Sequence, residues 1–464
     1  CRRDGYHVLQ VPFARHRGNV LYGRSKMSRE ITDGLLKFVE NSPTSFHAVS
    51  TMQKELDDCG FIHIYEEKSW NLQRGGKYYV TRNGSSLIAF VIPENMITSF
   101  QIMASHSDSP TFKLKSNPEI DVEDHFVKLN VEKYGGMMMA PWFDRPLSLA
   151  GRLLAVDDKG QITPHLIKID RDLVLIPNLA VHMNRKANDG YSYNPQIDML
   201  PLFGGADSKG TLMNILSKEA GVKPDQVLDM DVYLYNRMKG SIWGGKEEFV
   251  SSSRLDDLQC VYSSLKAFKS SKNKNHVIVH CVLDNEEVGS LTRQGAASTF
   301  LKDTLERIAI SMNLSKEEYL RAQACGFMLS ADNAHSVHPS HQDKTDQSNR
   351  PYINGGVVLK YNANQHYTTD AFSAAVVKSI CAQANVPIQT FVNRSDIPGG
   401  STLGNISNGQ FSIHTADIGL AQLAMHSPYE TAGVCDTEYL VRMASAFYDS
   451  DIQIKKDGSC KIVF

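Results

Sequence analysis

The sequence lacks an excess of charge of either sign. Its 464 residues include 49 lysines and arginines against 51 aspartates and glutamates, which gives a formal net charge of −2. Proteins that bind nucleic acids or anionic membranes usually carry a basic excess, so the composition argues against both partners. Residues 1–26 depart from this balance, because they hold six basic residues and one acidic residue.

Long apolar runs and paired cysteines are also missing. The strongest apolar run, VIVHCVL at 277–283, is far shorter than the roughly 20 residues that a membrane-spanning helix needs. The eight cysteines are scattered and none has C-x-x-C spacing, which argues against a zinc ribbon or a disulfide scaffold. We therefore expect a reducing, cytoplasmic location and no membrane partner.

Several common catalytic motifs are absent as well. The sequence has no H-E-x-x-H zinc helix, no G-x-S-x-G nucleophile elbow and no G-x-G-x-x-G after a predicted strand. Residues 240–246 have the spacing of a phosphate-binding loop, but Glu247 occupies the position where Ser or Thr must bind magnesium. No nucleotide site is expected there.

The chain is too long for one average domain, and its patterning changes along its length. Predicted strands and helices alternate at the two ends, as in the strand over 276–283 and the helix over 299–311. Residues 110–249 instead show short strand-like segments separated by turns. We therefore predict an α/β domain, with a mixed sheet flanked by helices, formed by residues 27–109 and 250–464. A β-rich domain, 110–249, is inserted into it.

Polar clusters follow four of the predicted strands, at 106–108, 284–287, 332–335 and 426. One such cluster alone would most simply be a strand-end turn, where Asp and Asn are common. Four together predict one shared site, since ligands bind at the carboxyl ends of strands in open α/β sheets. Histidine and carboxylate ligands without cysteine suit zinc, manganese or cobalt, and they allow a two-metal hydrolytic site.

The adjacent pair Glu286-Glu287 fits a division of labour in such a site. One carboxylate can bind metal while its neighbour accepts a proton from the attacking water. The alternative is an acidic first turn of a solvated helix, where negative charge favours the helix dipole.

Seven motifs, in this order along the chain, resemble the aspartyl aminopeptidase family of dinuclear metallopeptidases. They are NSPTSFHAV (41–49), HSDSP (106–110), WFDR (142–145), RLD (254–256), DNEEVGS (284–290), SADNAHSVHP (330–339) and QLAMHS (422–427). The resemblance extends from Met27 to the C-terminus. Residues 1–26 lie outside it and are expected to be a disordered extension, a transit-peptide remnant or sequence added upstream.

The resemblance implies a site for two divalent ions, with zinc expected and manganese or cobalt as alternatives. The implied ligands are His106 and Asp332 for one ion, Glu287 and His426 for the other, and Asp256 as the bridge. Glu286 would be the general base, and Asp108 would orient His106 from behind.

The resemblance also implies how the substrate is recognised. Lys360 would bind an acidic substrate side chain, and His182 would reach the site from a neighbouring subunit. In the mechanism that we infer for such a site, His335 would assist a metal in stabilising the oxyanion. Taken without the family, Lys360 could be a snorkelling surface lysine and His182 a satisfied core residue. Family members assemble into closed dodecamers through dimers, so the inserted domain is interpreted as a dimerisation domain.

The sequence thus predicts a zinc metalloaminopeptidase, a hydrolase that releases N-terminal residues, preferably Asp or Glu, from peptides with a free N-terminus. A broad-specificity aminopeptidase or a deacylase on the same site is the alternative, and a non-catalytic assembly protein is a second one. The chain departs from the family at Asp257, where Asn is usual, at Pro146, and in the methionine-rich segment 135–140. These departures put loop geometry and local charge in question.

Overall fold

The structure, a computed structural model, describes residues 26–464, so the extension predicted for residues 1–26 lies outside the described residues except for Lys26. The described residues form ten α-helices: α1 (Lys26–Asn41), α2 (Ser45–Asp57), α3 (Pro195–Asp198), α4 (Leu212–Ala220), α5 (Leu255–Ser270), α6 (Phe300–Ser311), α7 (Lys316–Ala324), α8 (Ala371–Gln383), α9 (Leu403–Asn408) and α10 (Val434–Asp449). They also form twenty-one strands: β1 (Ile62–His63), β2 (Lys77–Arg82), β3 (Ser86–Val91), β4 (Ser99–His106), β5 (Thr111–Val122), β6 (Phe126–Tyr134), β7 (Leu147–Val156), β8 (Ile162–Lys168), β9 (Leu202–Gly205), β10 (Val227–Asn236), β11 (Ser241–Trp243), β12 (Phe249–Ser252), β13 (His276–Leu283), β14 (Phe327–Ala331), β15 (Ala334–His335), β16 (Val357–Tyr361), β17 (Ile388–Val392), β18 (His414–Leu423), β19 (Glu430–Gly433), β20 (Asp451–Lys456) and β21 (Ser459–Val463).

A mixed sheet of 13 strands carries the larger core. Its central strands β13, β4, β14 and β18 pair in parallel, and every residue of β4, β13 and β14 is buried. Parallel strands covered on both faces read as continuous apolar runs, which is why these segments stand out in the sequence. Side chains of α1, α2, α5, α8 and α10 join the core on one face, and those of α6, α7 and α9 join the core on the other. The predicted mixed sheet flanked by helices is confirmed.

The parallel pairing brings the polar clusters to one edge of this sheet. His106, the last residue of β4, is the register partner of Leu283, the last residue of β13. Asp332 directly follows β14, and the chain after β18 leads to His426. The carboxyl ends of four neighbouring strands therefore meet, as expected for a site in an open α/β sheet.

A second, six-stranded sheet in the order β8-β7-β10-β5-β6-β9 takes all its strands from Thr111–Asn236. It has its own apolar core, to which α4 contributes Leu212 and Leu216. The boundaries 110–249 and the dimerisation role of this region stay predictions.

The sequence pattern did not reveal every element. Strand β18 begins at His414, and its residues Thr415 and Asp417 are buried, with the backbone N–H of Asp417 donating to Oγ1 of Thr369 at 2.8 Å. The segment 173–176 makes only isolated bridges, and the C-terminal hairpin β20-β21 was not predicted. Within residues 26–464, no helix combines the length and the apolar character needed to cross a bilayer.

Candidate metal centre

The predicted metal ligands come from five separate loops and strand ends that meet at one point. They are His106 at the end of β4, Asp256 at the start of α5, Glu287 in the turn after β13, Asp332 after β14 and His426 between β18 and β19. Their ligand atoms form overlapping groups in which all atoms lie within 4.8 Å of one another. The structure therefore brings together all five side chains.

Asp256 lies in the middle of this cluster. Its Oδ1 is 3.7 Å from Nε2 of His106, and its Oδ2 is 3.4 Å from Nε2 of His426. On the first side, His106 Nε2 is 4.0 Å from Asp332 Oδ1, and on the second, His426 Nε2 is 3.2 Å from Glu287 Oε2. The two oxygens of one carboxylate thus face two histidine–carboxylate pairs.

Two buried carboxylate oxygens in the cluster, Asp256 Oδ1 and Glu287 Oε1, have no hydrogen-bond partner. Leaving a buried charged acceptor unpaired is costly, whereas a cation in contact with it would satisfy it. Imidazole nitrogens and carboxylate oxygens are the donors that zinc and neighbouring divalent metals accept. The residues present therefore fit a divalent metal.

Asp108 connects the ligands to the turn that carries Glu286 and Glu287. Its backbone carbonyl accepts from Nδ1 of His106 at 3.1 Å, which leaves Nε2 as the ligand nitrogen. Its carboxylate accepts from the backbone N–H groups of Glu286 (3.1 Å) and Glu287 (3.2 Å). One buried carboxylate thus fixes both sides of the cluster.

The sequence did not point to two further carboxylates here. Glu430 accepts from the backbone N–H groups of Asp256 (3.0 Å) and His426 (2.8 Å). Asp257 accepts from the backbone N–H of His106 at 3.2 Å and belongs to one of the ligand groups, although it was noted only as a departure from the family. Both act on backbone groups, and no motif reveals such contacts.

The backbone around the cluster is strained. Arg254, Asn285, Ala424 and His426 have left-handed φ angles of 56°, 61°, 56° and 65°. Such angles in residues other than glycine cost on the order of 1–3 kcal/mol each and persist only where the surroundings impose them. The surroundings therefore hold the loops that carry the predicted ligands in these conformations.

The charges in the cluster depend on one another. Burial raises the pKa of Glu286 to about 8, and the carboxylates of Asp332, Asp108 and Asp256 add to the rise against the opposing effect of His106. Burial also acts to raise the pKa of Asp256. The contacts of Asp256 with His106 and His426 outweigh this effect and lower the pKa.

A cavity of about 810 Å³ opens over the cluster. Its lining includes the predicted residues His335 and Lys360, together with Tyr367, Phe391 and Thr402, which were not predicted. Lys360 is buried, and its Nζ donates to the carbonyl of Asn333 at 2.8 Å. The same nitrogen lies 3.4 Å from Asp332 Oδ2 and 5.4 Å from the centre of the Tyr367 ring. Burial acts to lower the pKa of Lys360, but the negative charge of Asp332 outweighs this effect, and the pKa is raised. The ammonium therefore stays charged.

His182 is not brought to the cluster within one chain. It is exposed, lies between β8 and α3, and is not among the residues that line the catalytic cavity.

Fold and site together define a metallopeptidase, and comparison with known proteins identifies the family. The family model described as Aminopeptidase I zinc metalloprotease (M18) matches residues 38–448, and the chain belongs to this family of aminopeptidases. A relative from Clostridium acetobutylicum, named "Probable M18 family aminopeptidase 2", is 44% identical over 432 residues, covering 91% of this chain and 100% of the relative.

Solved structures agree with this assignment. A chain in the cryo-EM structure of the Ape4 and Nbr1 complex is 35% identical, with a TM-score of 0.88 over 91% of this chain and 86% of that one. The S. cerevisiae mApe1 dodecamer gives 26% identity and a TM-score of 0.80 over 91% of this chain and 97% of that one.

Proposed function

We propose that this M18 aminopeptidase holds two zinc ions and releases N-terminal Asp or Glu from peptides. The observation that supports two ions is Asp256, whose two oxygens each face a separate histidine–carboxylate pair. His106 and Asp332 would hold one ion, Glu287 and His426 the other. Manganese or cobalt would also suit these ligands.

Two such ions, when bound, supply Lewis acidity toward the attacking water and the scissile carbonyl. The chain's own residues perform the remaining steps. Glu286 accepts the proton of the water and delivers it to the leaving amine nitrogen. Asp108 keeps Glu286 in place through the backbone N–H of that residue, and His335 faces the cavity where a carbonyl oxygen would gain negative charge.

Lys360 carries the proposal of acidic specificity. Among the residues that line the cavity, it is the one lysine or arginine, and it is buried and charged. A substrate carboxylate that reached its ammonium would form a charge-assisted hydrogen bond in a desolvated place, where such bonds are strongest. A neutral side chain would offer the ammonium no partner beyond Asp332, the Asn333 carbonyl and the Tyr367 ring.

The proposed assembly rests on the exposed segment around His182. Leu179, Val181 and Met183 are 53%, 51% and 75% exposed. Apolar side chains concentrated in one exposed segment indicate an interface. We propose that region 110–249 forms a dimer contact through this segment, that His182 enters a neighbouring active site there, and that dimers build a closed dodecamer. The S. cerevisiae mApe1 structure is described as a dodecamer.

A panel of anilides tests the substrate proposal. The kcat/KM values for Asp-, Glu- and Leu-anilide and for N-acetyl-Asp-anilide are measured on enzyme loaded with zinc, manganese or cobalt. We expect the first two to exceed Leu-anilide and the blocked substrate to be inert. Equal rates for Leu would favour the broad-specificity alternative, and cleavage of the acetyl group would favour the deacylase. Elemental analysis of the zinc enzyme should give two ions per chain.

A further inference from the structure

The second sheet reaches directly into the metal centre. Tyr134 is the last residue of β6, and its hydroxyl donates to Asp108 Oδ2 at 2.7 Å. The same hydroxyl accepts from Nδ2 of Asn285 at 2.8 Å. Tyr134 thus joins the two catalytic loops, the one after β4 and the one after β13, from outside the large sheet.

Two glycines after Tyr134 allow this approach. A Cβ on Gly135, whose φ is +78°, would lie 3.2 Å from Cβ of Glu287, which is closer than about nine in ten real contacts of this kind. Gly136 passes next to the His426 ring, and the backbone N–H of Met138 donates to the carbonyl of His426 at 3.2 Å. The segment 134–138 therefore packs against two metal ligands.

The hydroxyl of Tyr134 controls a carboxylate on which the site depends. Asp108 accepts from the backbone N–H groups of Glu286 and Glu287, and its carbonyl orients His106. Asn285, the second partner of Tyr134, directly precedes Glu286 and is held in a left-handed conformation. Without the hydroxyl, Asp108 would lose one of the donors that select its rotamer, and Asn285 would lose an acceptor.

We propose that Tyr134 is a positioning residue for the peptidase reaction. Its hydroxyl fixes Asp108 and Asn285, and through them it fixes Glu286 relative to His106. The proposal rests on the proposed role of Glu286 as the base. It also makes catalysis depend on the placement of the second sheet, because the residue that aligns the base belongs to that sheet.

Tyr134→Phe tests the proposal, with Tyr233→Phe as the matched control. Tyr233 also belongs to the second sheet, and its ring contacts that of Tyr134 edge-on at 5.7 Å between ring centres, but its hydroxyl bonds to neither Asp108 nor Asn285. Loss of a group that orients a metal ligand typically costs about 10–100-fold. We expect Tyr134→Phe to lower kcat by about that factor with KM and zinc content within twofold of wild type, and Tyr233→Phe to stay within twofold in kcat.

A double-mutant cycle with Asp108→Asn separates positioning from general loosening. If Tyr134 acts through Asp108, Tyr134→Phe should lower kcat far less in the Asp108→Asn background than in wild type. Should Tyr134→Phe not fold, Asn285→Gly, which keeps the left-handed backbone and removes the amide, should lower kcat in the same way. Thr292→Val and Gln294→Ala, which remove the two other partners of that amide, are the controls and should leave kcat within twofold. Equal effects of Tyr134→Phe in both backgrounds, or a kcat equal to that of Tyr233→Phe, would overturn the proposal. Full activity of Glu286→Gln would instead overturn the base assignment, and the cycle would still report on the link between Tyr134 and Asp108.

Discussion

At the scale of single residues, the adjacent acids Glu286 and Glu287 have different surroundings, because the turn that holds them directs their side chains differently. Glu287 lies 3.2 Å from His426 and has an unpaired buried oxygen, as a ligand requires. Glu286 lines the cavity, and burial raises its pKa to about 8, so in the absence of metal its carboxyl readily holds a proton near neutral pH. Proximity to cations would lower this pKa and restore the base form.

Glu286→Gln should abolish most turnover without loss of metal. Glutamine keeps the shape of the side chain but cannot accept the proton of the water, and loss of a general base costs roughly 10²–10⁴-fold in kcat. The measurement is kcat on Asp-anilide together with zinc content by elemental analysis. A variant within a few-fold of wild type would show that another group is the base.

Lys360→Met should remove the preference for acidic residues. The substitution keeps an unbranched apolar stem and deletes the charge, so an acidic substrate side chain would be buried without a partner, at a cost of roughly 100-fold or more in kcat/KM for Asp-anilide. The kcat/KM for Leu-anilide is the internal control and should change much less. An equal loss on both substrates would mean that Lys360 serves Asp332 rather than the substrate.

The residues around the metal centre show which parts of the site the sequence can predict and which it cannot. Four of the five proposed ligands follow predicted strands, and the fifth, Asp256, was proposed only because its motif resembles that of a known family. The roles of Tyr134 and Glu430 could not be predicted, because each includes a contact with a distant residue: Asn285 lies 151 positions from Tyr134, and Asp256 lies 174 positions from Glu430. Thr402 and Tyr367 line the cavity from segments with no apolar periodicity to draw attention to them.

At the scale of secondary-structure elements, the buried parallel strand β13 (His276–Leu283) was predicted residue by residue. Its apolar run is dictated by burial on both faces. The helix α4 within the β-rich region and the hairpin β20-β21 were missed, because a short helix and an edge hairpin with exposed residues carry weak patterns.

Strand β18 contains a glycine that the site requires. A Cβ on Gly419 would lie 2.0 Å from the carbonyl oxygen of Asp332 and 3.1 Å from Cε of Lys360. Gly419→Ala should therefore displace the segment that carries one metal ligand and destabilise the protein by about 1–3 kcal/mol, as overpacking does. Urea unfolding and zinc content measure the two effects. Gly245→Ala, where a Cβ meets nothing within 4 Å, is the control and should match wild type in both.

At the scale of the whole molecule, the metal centre joins distant parts of the fold. Its proposed ligands come from residues 106 to 426, and the second sheet contacts it through Tyr134. Buried carboxylates that face one another repel when no cation lies between them. The stability of the large sheet edge should therefore depend on metal.

Removal of metal should lower the melting temperature. Ligands that bind only the folded state stabilise it by mass action, by about 2.7 kcal/mol at 100 times the dissociation constant. Dialysis against EDTA followed by calorimetry should show a lower Tm that zinc restores. Asp256→Asn, which weakens the proposed bridge, is the comparison and should start from a lower Tm and respond less to EDTA. A Tm unaffected by EDTA in wild type would argue against a stabilising metal centre.

Mixing two inactive variants should test whether active sites are shared between subunits. His182 is exposed in the single chain and lies in a segment of exposed apolar side chains, so we expect it to complete a neighbouring site. The assembly should then have a hydrodynamic mass several times 51.7 kDa. A chain with His182→Ala keeps its own Glu286, and a chain with Glu286→Gln can donate its intact His182 to that neighbour. Mixed assemblies should therefore recover part of the wild-type kcat, up to about a quarter if subunits pair at random and each site needs one residue from each chain.

Subunit exchange is verified by fluorescence transfer between labelled chains. Exchange without recovered activity would show that His182 serves its own subunit or none, and a fully active monomer in analytical ultracentrifugation would exclude a shared site altogether.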